Sequence, residues 1–552
     1  MRRLTFALLA CGLLTTLTAQ PTIGLFQNDS LAYDGYTLFA PSASRTTYLI
    51  DNCGYLVNSW TSQYLPGNSA YLVPGGRLLR TARIASNFNG GGSGGRIELF
   101  DWEGELLWSY NYSSLAYHQH HDIAYLPNGH VLILAWRRHT EAEALQAGRN
   151  PALLSGALWS ETVVEVEMIG TDEANIIWEW DLWDHLVQDF DETKDNYGDV
   201  AASPGRMDLN FTPSGGGNPA DWAHFNSVAY NEELDQIVLS SRHFDEIYII
   251  DHSTTTAEAA TGSGGQSGRG GDFLYRWGNP QAYRMGTPAD KQLFGQHDAE
   301  WIPAGLAGAG QILVFNNGAN RPGQPFSTVD SWQPPLNELG TYDRSPDQPF
   351  GPAAMSWTYQ GDPVESFFSS RVSGAQRLPN GNTLVCAGTG GHLFEVTPED
   401  EIVWEYIIPI AGNAPATQGD VLQTNDAFRA TRFAADSPEL LGMPLVSGEP
   451  IELEPLDYDC TLFGQPTSTH EPGDWSVSIS PNPCREELRL EWPDAARYQL
   501  EVIDARGQVF VRRQEVAGQV ILSTQQWPAG LYIARIRRAG EPAMTTHKFL
   551  KL

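Results

Sequence analysis

The chain has 552 residues, with 34 Lys+Arg against 66 Asp+Glu and a formal net charge of −32. Phosphate binding needs a basic surface, so nucleic acid is excluded as a partner, and no apolar run long enough to span a membrane follows the N-terminus. With 54 Gly, 35 Pro, 17 Trp and only 18% charged residues, the composition predicts a turn-rich all-β protein made of one large repeat domain and a small module.

Residues 1–19 read as a secretory signal: Arg2 and Arg3 start it, Leu4–Leu17 is apolar, and Thr18-Ala19 gives a small-residue end with cleavage near Ala19. Leu8–Gly12 also reads as a lipobox around Cys11. Loss of Cys11 leaves Cys53, Cys386, Cys460 and Cys484, enough for up to two disulfides in an oxidising compartment, with the pairing open. Their long, irregular spacing fits neither a zinc ribbon nor a CxxC redox pair.

From residue 22 onward one pattern returns. Tyr48–Asp51 precedes Val57–Trp60, and Ile97–Asp101 precedes Leu107–Tyr110. His121–Gly129 runs into Val131–Leu134, and Val164–Val166 precedes Ile177–Trp180. His224–Tyr230 runs into Ile237–Ser240, and His297–Pro303 into Ile312–Phe315. Ser373–Gly381 runs into Thr383–Val385, and Leu393–Val396 precedes Ile402–Tyr406. Each unit is a short strand, a turn, a buried strand, an acidic strand and a Trp-bearing strand. A four-stranded unit recurring every ~40–80 residues predicts propeller blades, about six over 22–465. Gly-rich 89–95 and 261–271 read as surface loops, and 185–222 as an insertion between blades or a lid. A composition break follows, with 466–474 as linker. Alternating strands over 475–552 predict a small β-sandwich. The expected fold class is therefore all-β: a six-bladed β-propeller followed by a C-terminal sandwich.

The first strand of a blade lines the axis, so residues at one repeat position converge there. His121, His297 and Ser373 each sit six residues before the Pro of their turn, and His224 takes nearly the same place. Three histidines at one position predict a site. His392 follows Gly390-Gly391, where backbone can approach a ligand closely. Arg242, Arg321 and Arg371 are the candidate arginines. His118 and His120 read as flanking surface residues.

Trp222–Ser227 (W-x-H-x-N-S), Gln296-His297, Phe315–Gly318 with Arg321 (F-x-N-G…R), and Gly390–Val396 (G-x-H-L-F-E-V) occur in that order. Over most of 40–410 the chain resembles the arylsulfotransferase family. The resemblance implies sulfuryl transfer from an aryl sulfate donor to a phenolic acceptor, by a ping-pong path through a sulfohistidine. It implies no metal, no other cofactor and no nucleotide sulfate (PAPS). Carried over motif by motif, it puts the nucleophile on His392, support on His224 and His297, and the arginine on Arg321. Asn317, His121 and Arg371 are expected to contact substrate. The chemistry is coherent: neutral imidazole attacks sulfur, and cationic groups hold the three sulfuryl oxygens. No P-loop motif is present. The N-terminal β-domain that larger family members use for dimer contacts has no counterpart, which leaves the oligomeric state open.

The tail carries Ser480–Pro483, Asp504–Gly507, Trp527–Tyr532 and terminal Lys548–Leu552. It resembles the C-terminal sorting domain of the type IX secretion system. That resemblance implies the secretion machinery as partner and a final place at the cell surface or outside the cell. Two readings compete on function: a metal-dependent hydrolase using the convergent histidines and His118-Gln119-His120, and a non-catalytic propeller binding glycans or proteins.

Overall fold

A computed structural model of the protein describes residues 21–213, 218–456 and 460–463. In the C-terminal part it describes 478–480, 484–491, 497–504, 509–516, 519–528, 530–538 and 544–551. The expected leader 1–19, the linker 466–474 and the motif residues 481–483 and 505–507 lie outside the described residues. The chain divides into one unit up to Phe463 and another from Gly464.

The first unit is all-β, built from five four-stranded antiparallel sheets and one five-stranded sheet, with two small two-stranded pairings. Four sheets run outward in chain order from Pro66–Val73, Tyr117–Tyr125, Phe225–Asn231 and His297–Trp301. A fifth starts at Gly374–Arg377 and takes Gly24–Asn28 as an extra strand beyond Ile402–Ile407. In the sixth, Ala427–Phe433 comes from the end of the unit and pairs with Tyr36–Pro41, followed by Thr46–Ile50 and Leu56–Thr61. These six leading strands neighbour one another in a closed series, from Pro66–Val73 through to Ala427–Phe433 and back. The arrangement is propeller-like, and both ends of the unit are stitched into sheets of the other end.

The repeated tryptophans explain how neighbouring sheets hold register. Trp60 Nε1 donates to Asp101 O at 2.8 Å, Trp108 to Glu173 O at 2.8 Å, Trp178 to Thr254 Oγ1 at 3.0 Å and Trp404 to Asn52 O at 2.8 Å. Each bond leads from an outer strand to the next sheet of the series. The indole body fills the wedge between sheets, and its one polar group finds a partner there. Cys53, in the turn after Thr46–Ile50, is disulfide-bonded to Cys460, while Cys386 and Cys484 are free and buried. Of the two pairings the cysteine count allowed, one is present among the described residues.

The described residues of 185–213 and 218–222 are a packed insertion and not a free lid. Leu186–Val187 runs parallel to Met207–Asp208. Leu186, Met207, Leu209 and Trp222 join the same buried cluster as Trp180 and Phe225.

The second unit has a three-stranded sheet (Ser478–Ser480, Glu487–Glu491, Gln519–Ser523) and a four-stranded one (Val509–Val516, Tyr498–Asp504, Gly530–Arg538, Met544–Lys551). Leu488, Leu490 and Leu522 from the first share one apolar core with Tyr498, Leu500, Tyr532 and Phe549 from the second. No helix among the described residues is long and apolar enough to cross a membrane.

Candidate active site

The leading strands bend where the repeat put its histidines. His121 and His224 both have φ of 49°, and Asp298, next to His297, has 59°. The ladder slips at each place: between Gln119 and Ile123, between Phe225 and Ser227, and between His297 and Glu300. A bulge with a left-handed residue re-aims a side chain that a regular strand would send elsewhere. Non-glycine residues in that region are strained by about 1 kcal/mol or more, and such strain concentrates at functional sites.

The bends bring the imidazoles together. The rings of His121 and His224 lie 4.8 Å apart, edge to face. Arg242 and His297 are near enough for both to disfavour a charge on His121. Each ring has its Nδ1 committed. His224 Nδ1 donates to Asp221 Oδ2 at 2.6 Å, and Asp221 Oδ1 accepts from Trp136 Nε1 at 3.1 Å. Asn317 Nδ2 donates to Ser369 O and Val372 O, which turns its Oδ1 toward His297 Nδ1 at 2.7 Å. His121 Nδ1 meets His120 Nδ1 at 2.9 Å, and His120 Nε2 meets Glu161 Oε2 at 2.9 Å. None of the three Nε2 atoms is committed to another described residue.

Burial, first of all, pushes the pKa of His121 and His297 well below the ordinary histidine range. For His297 the next cause is the Arg242 guanidinium. Both rings are therefore neutral near pH 7. His243, stacked on His224 at 4.5 Å, is lowered to about 4, again mainly by burial.

The Gly-rich stretch 89–95 is a loop with Asn89 and Gly91 exposed, and its inner side packs on the imidazoles. A Cβ on Gly92, whose φ is 75°, would come within 3.0 Å of three atoms of the His121 ring, and one on Gly91 would lie 3.3 Å from His224 Cε1. His121 N donates to Gly92 O at 2.7 Å, which fixes the loop in place.

A family model described as Arylsulfotransferase (ASST) matches residues 44–407. The chain belongs to the arylsulfotransferase family. A second model, Secretion system C-terminal sorting domain, matches 478–551, and this type IX sorting domain marks the protein for export to the cell surface or secretion. No curated protein matches the chain. Among solved structures, a protein of unknown function from Bacteroides caccae is 12% identical, with 73% of this chain and 99% of that chain covered and a TM-score of 0.39. A virginiamycin B lyase from Staphylococcus aureus is 10% identical, with 77% and 91% covered and a TM-score of 0.30. PorZ of Porphyromonas gingivalis is 12% identical, with 97% and 75% covered and a TM-score of 0.19. Likeness this weak carries no argument about function.

Within the arylsulfotransferase unit, the structure brings together His121, His224, His297 and Asn317, and it adds Arg242. Three other expected site residues have their side chains engaged with other groups. His392 opens the third strand of its sheet, His392–Val396, paired through Ala387 to the strand before it. It stands at the same end of the sheet as Ser373 but two strands outward, roughly 10 Å at the usual strand spacing. Its Nε2 meets Glu405 Oε1 at 2.8 Å, and about a third of its side chain is exposed. Arg321 lies between Phe294 and Phe326, 4.8 and 4.3 Å from their centroids, and bonds Thr328. Arg371 is exposed and paired with Asp426 at 2.5 Å.

His118 and His120 are not on the surface. His118 is wholly buried, with Ser93 and Ser113 at its two nitrogens at 2.9 and 2.8 Å. His120 is wholly buried and stacked on Trp136 at 4.0 Å. Sequence reasoning named Arg242 among three candidate arginines, and it did not single out Asp221 or Glu161. Asp221, three residues before His224, was the one with a local signal.

Beneath the histidines the axis is closed by a network. Arg429, on the closing strand Ala427–Phe433, reaches Asp122 and Asp298, both at 3.1 Å, and the hydroxyl of Tyr71. A cavity of about 660 Å³ opens beyond it, lined by Tyr125, Tyr230 and Glu300 among others. That cavity touches none of the three imidazoles. Among the described residues no three His, Cys, Asp or Glu side chains are disposed to hold a metal ion.

Proposed function

We propose that this arylsulfotransferase moves a sulfuryl group from an aryl sulfate to a phenol by a ping-pong path, with His297 as the covalent carrier. In this reading the first unit is a six-bladed propeller and the second a sandwich. One observation carries the proposal: three imidazoles with Nδ1 committed and Nε2 uncommitted converge beside Arg242.

His297 suits the nucleophile. Its ring is neutral, Asn317 fixes the tautomer that exposes the Nε2 lone pair, and the arginine acting most strongly on it is Arg242. Nε2 attacks sulfur, the S–O bond to the aryl oxygen breaks, and the electron pair leaves with the phenolate. Arg242 and His224, the latter backed by Asp221, hold the sulfuryl oxygens as charge spreads over them. An acceptor phenol then takes the group, and the carrier is restored. His392, first expected as nucleophile, stands outside this constellation. Its place at the same end of the unit suits the rim that the acceptor crosses.

The test is a mass label. Incubation with 4-nitrophenyl sulfate, without acceptor, releases nitrophenol and leaves one SO₃ on the peptide that holds His297. Phenol then discharges it. Label on the His392 peptide would overturn the assignment, and wild-type protein that turns over no aryl sulfate would overturn the function.

A further inference from the structure

Behind His121 lies a chain that the sulfuryl chemistry above does not use. Glu161, on Leu158–Ile169, and His120, on Tyr117–Tyr125, are both fully buried, and His121 is nearly so. The links are 2.9 Å each. Trp136 holds the His120 ring flat at 4.0 Å and 14°, and the His121 ring stands edge-on to it at 5.2 Å. The second carboxyl oxygen of Glu161 accepts from Phe225 N at 2.9 Å, so the chain is anchored beside His224.

We propose that Glu161, His120 and His121 form a proton store that serves the aryl oxygen in both half-reactions, with His121 as the catalytic group and the other two as positioning residues. This rests on the sulfuryl-transfer reading above. The balance is simple. In the proton-poor array Glu161 is a carboxylate accepting from His120 Nε2–H, His120 Nδ1 accepts from His121 Nδ1–H, and His121 Nε2 shows a lone pair. One proton enters at Nε2 of His121. The Nδ1 proton of His121 then passes to Nδ1 of His120, and the Nε2 proton of His120 passes to Glu161. The result is a carboxylic acid, two neutral imidazoles and an N–H facing the substrate. The leaving phenolate takes that proton, and the incoming phenol returns one.

The surroundings favour such a store. Burial, above all, raises the Glu161 carboxyl well above its usual range, and it lowers both imidazoles well below theirs. The extra proton therefore rests on a neutral acid and not on a buried imidazolium. The charged or titratable neighbours act the same way: Asp221 and Asp181 on Glu161, His224 and His118 on His120, and His224, His297 and Arg242 on His121.

Leaving-group dependence separates this role from a structural one. Phenolate needs a proton as it leaves, while 4-nitrophenolate, the anion of a far stronger acid, needs one much less. In single-turnover assays Glu161→Gln should slow phenol release from phenyl sulfate by about 10²-fold or more, the usual worth of general acid catalysis. Release from 4-nitrophenyl sulfate should slow by less than about tenfold. His120→Gln bridges the same neighbours without relaying a proton, and it should show the same steepening, which keeps the test open if one variant fails to fold. Equal slowing of both donors, or none, in folded variants overturns the store. Failure of wild-type protein to release either phenol overturns the underlying reading instead.

Discussion

Gly92→Ala tests the site where the structure departs most from expectation. The added methyl would sit inside 3.0 Å of the His121 ring, and ordinary contact begins at 3.4 Å. Ring or loop must therefore retreat by ~1 Å, the scale of misplacement that costs about 10²-fold in rate. The φ of 75° adds backbone strain of ~1 kcal/mol. Gly104 separates the two effects: its φ is 86°, and nothing lies within 4 Å of the place its added methyl would take. Gly104→Ala should lower Tm by a few degrees at most and keep its turnover, whereas Gly92→Ala should lose about 10²-fold in kcat at a similar Tm. Nitrophenol release from 4-nitrophenyl sulfate in the presence of phenol, with a thermal melt beside it, gives both numbers. A Gly92→Ala protein with full kcat would show that the loop does not sit on His121, and the covered-site reasoning would fall.

His392→Ala removes a pair with Glu405 that is about one-third exposed, worth ~1 kcal/mol or less. It should change Tm little and kcat by less than about tenfold, against ~10⁴-fold for His297→Ala. Arg242→Ala should lose about 10²–10³-fold in kcat/KM, while Arg321→Ala, a cation set between two phenyl rings, should show its cost in Tm. His252 is raised to about 9 by its bonds to Asp235 and Glu165, which outweigh burial. A raised folded value means that its contribution, about 3 kcal/mol, is complete below the ordinary histidine range and fades as pH rises through 9. The Tm gap between wild type and His252→Gln should close over that window. Reduction of Cys53–Cys460, which closes a 407-residue separation, should lower stability by up to ~5 kcal/mol. Two further thiols, Cys386 and Cys484, should react only on unfolding.

The repeat was legible because a propeller-like unit repeats its chemistry. Trp60, Trp108, Trp178 and Trp404 announce outer strands because each wedge needs one indole. The shared place of His121, His224 and His297 announces an axial end because bulged leading strands meet there. Radius was harder to read. A motif tells which end of a sheet a residue occupies, but strand order decides how far out it stands. His392 is at the right end and on the third strand, and G-G-H-L-F-E-V holds nothing that distinguishes third from first. Arg242 follows the second strand of its sheet, and a bond from its N–H to His224 O at 3.1 Å draws it inward. Glu161 faces inward from Leu158–Ile169, 40 residues after His121, and only the pairing of sheets reveals that nearness. The stretch 89–95 keeps Asn89 and Gly91 exposed while Gly92 packs on His121, 29 residues on.

Three identical side chains at one repeat position need not do identical work. What differs is the group at Nδ1. A carboxylate behind His224 takes its Nδ1–H and fixes how the ring is turned. An amide oxygen behind His297 selects a tautomer and adds no full charge, which keeps the lone pair nucleophilic. A second imidazole backed by a buried acid behind His121 lets the ring give or accept a proton with little change in its own charge. Repetition supplies the convergence, and divergence in the groups behind the rings supplies the division of labour. A variant that exchanges backing groups, such as Asn317→Asp, should therefore convert one role toward another. A carboxylate beside His297 would raise its pKa, so transfer at neutral pH should fall and recover as pH rises. Flat pH dependence in that variant, with its fold intact, would mean that the backing groups do not set the roles.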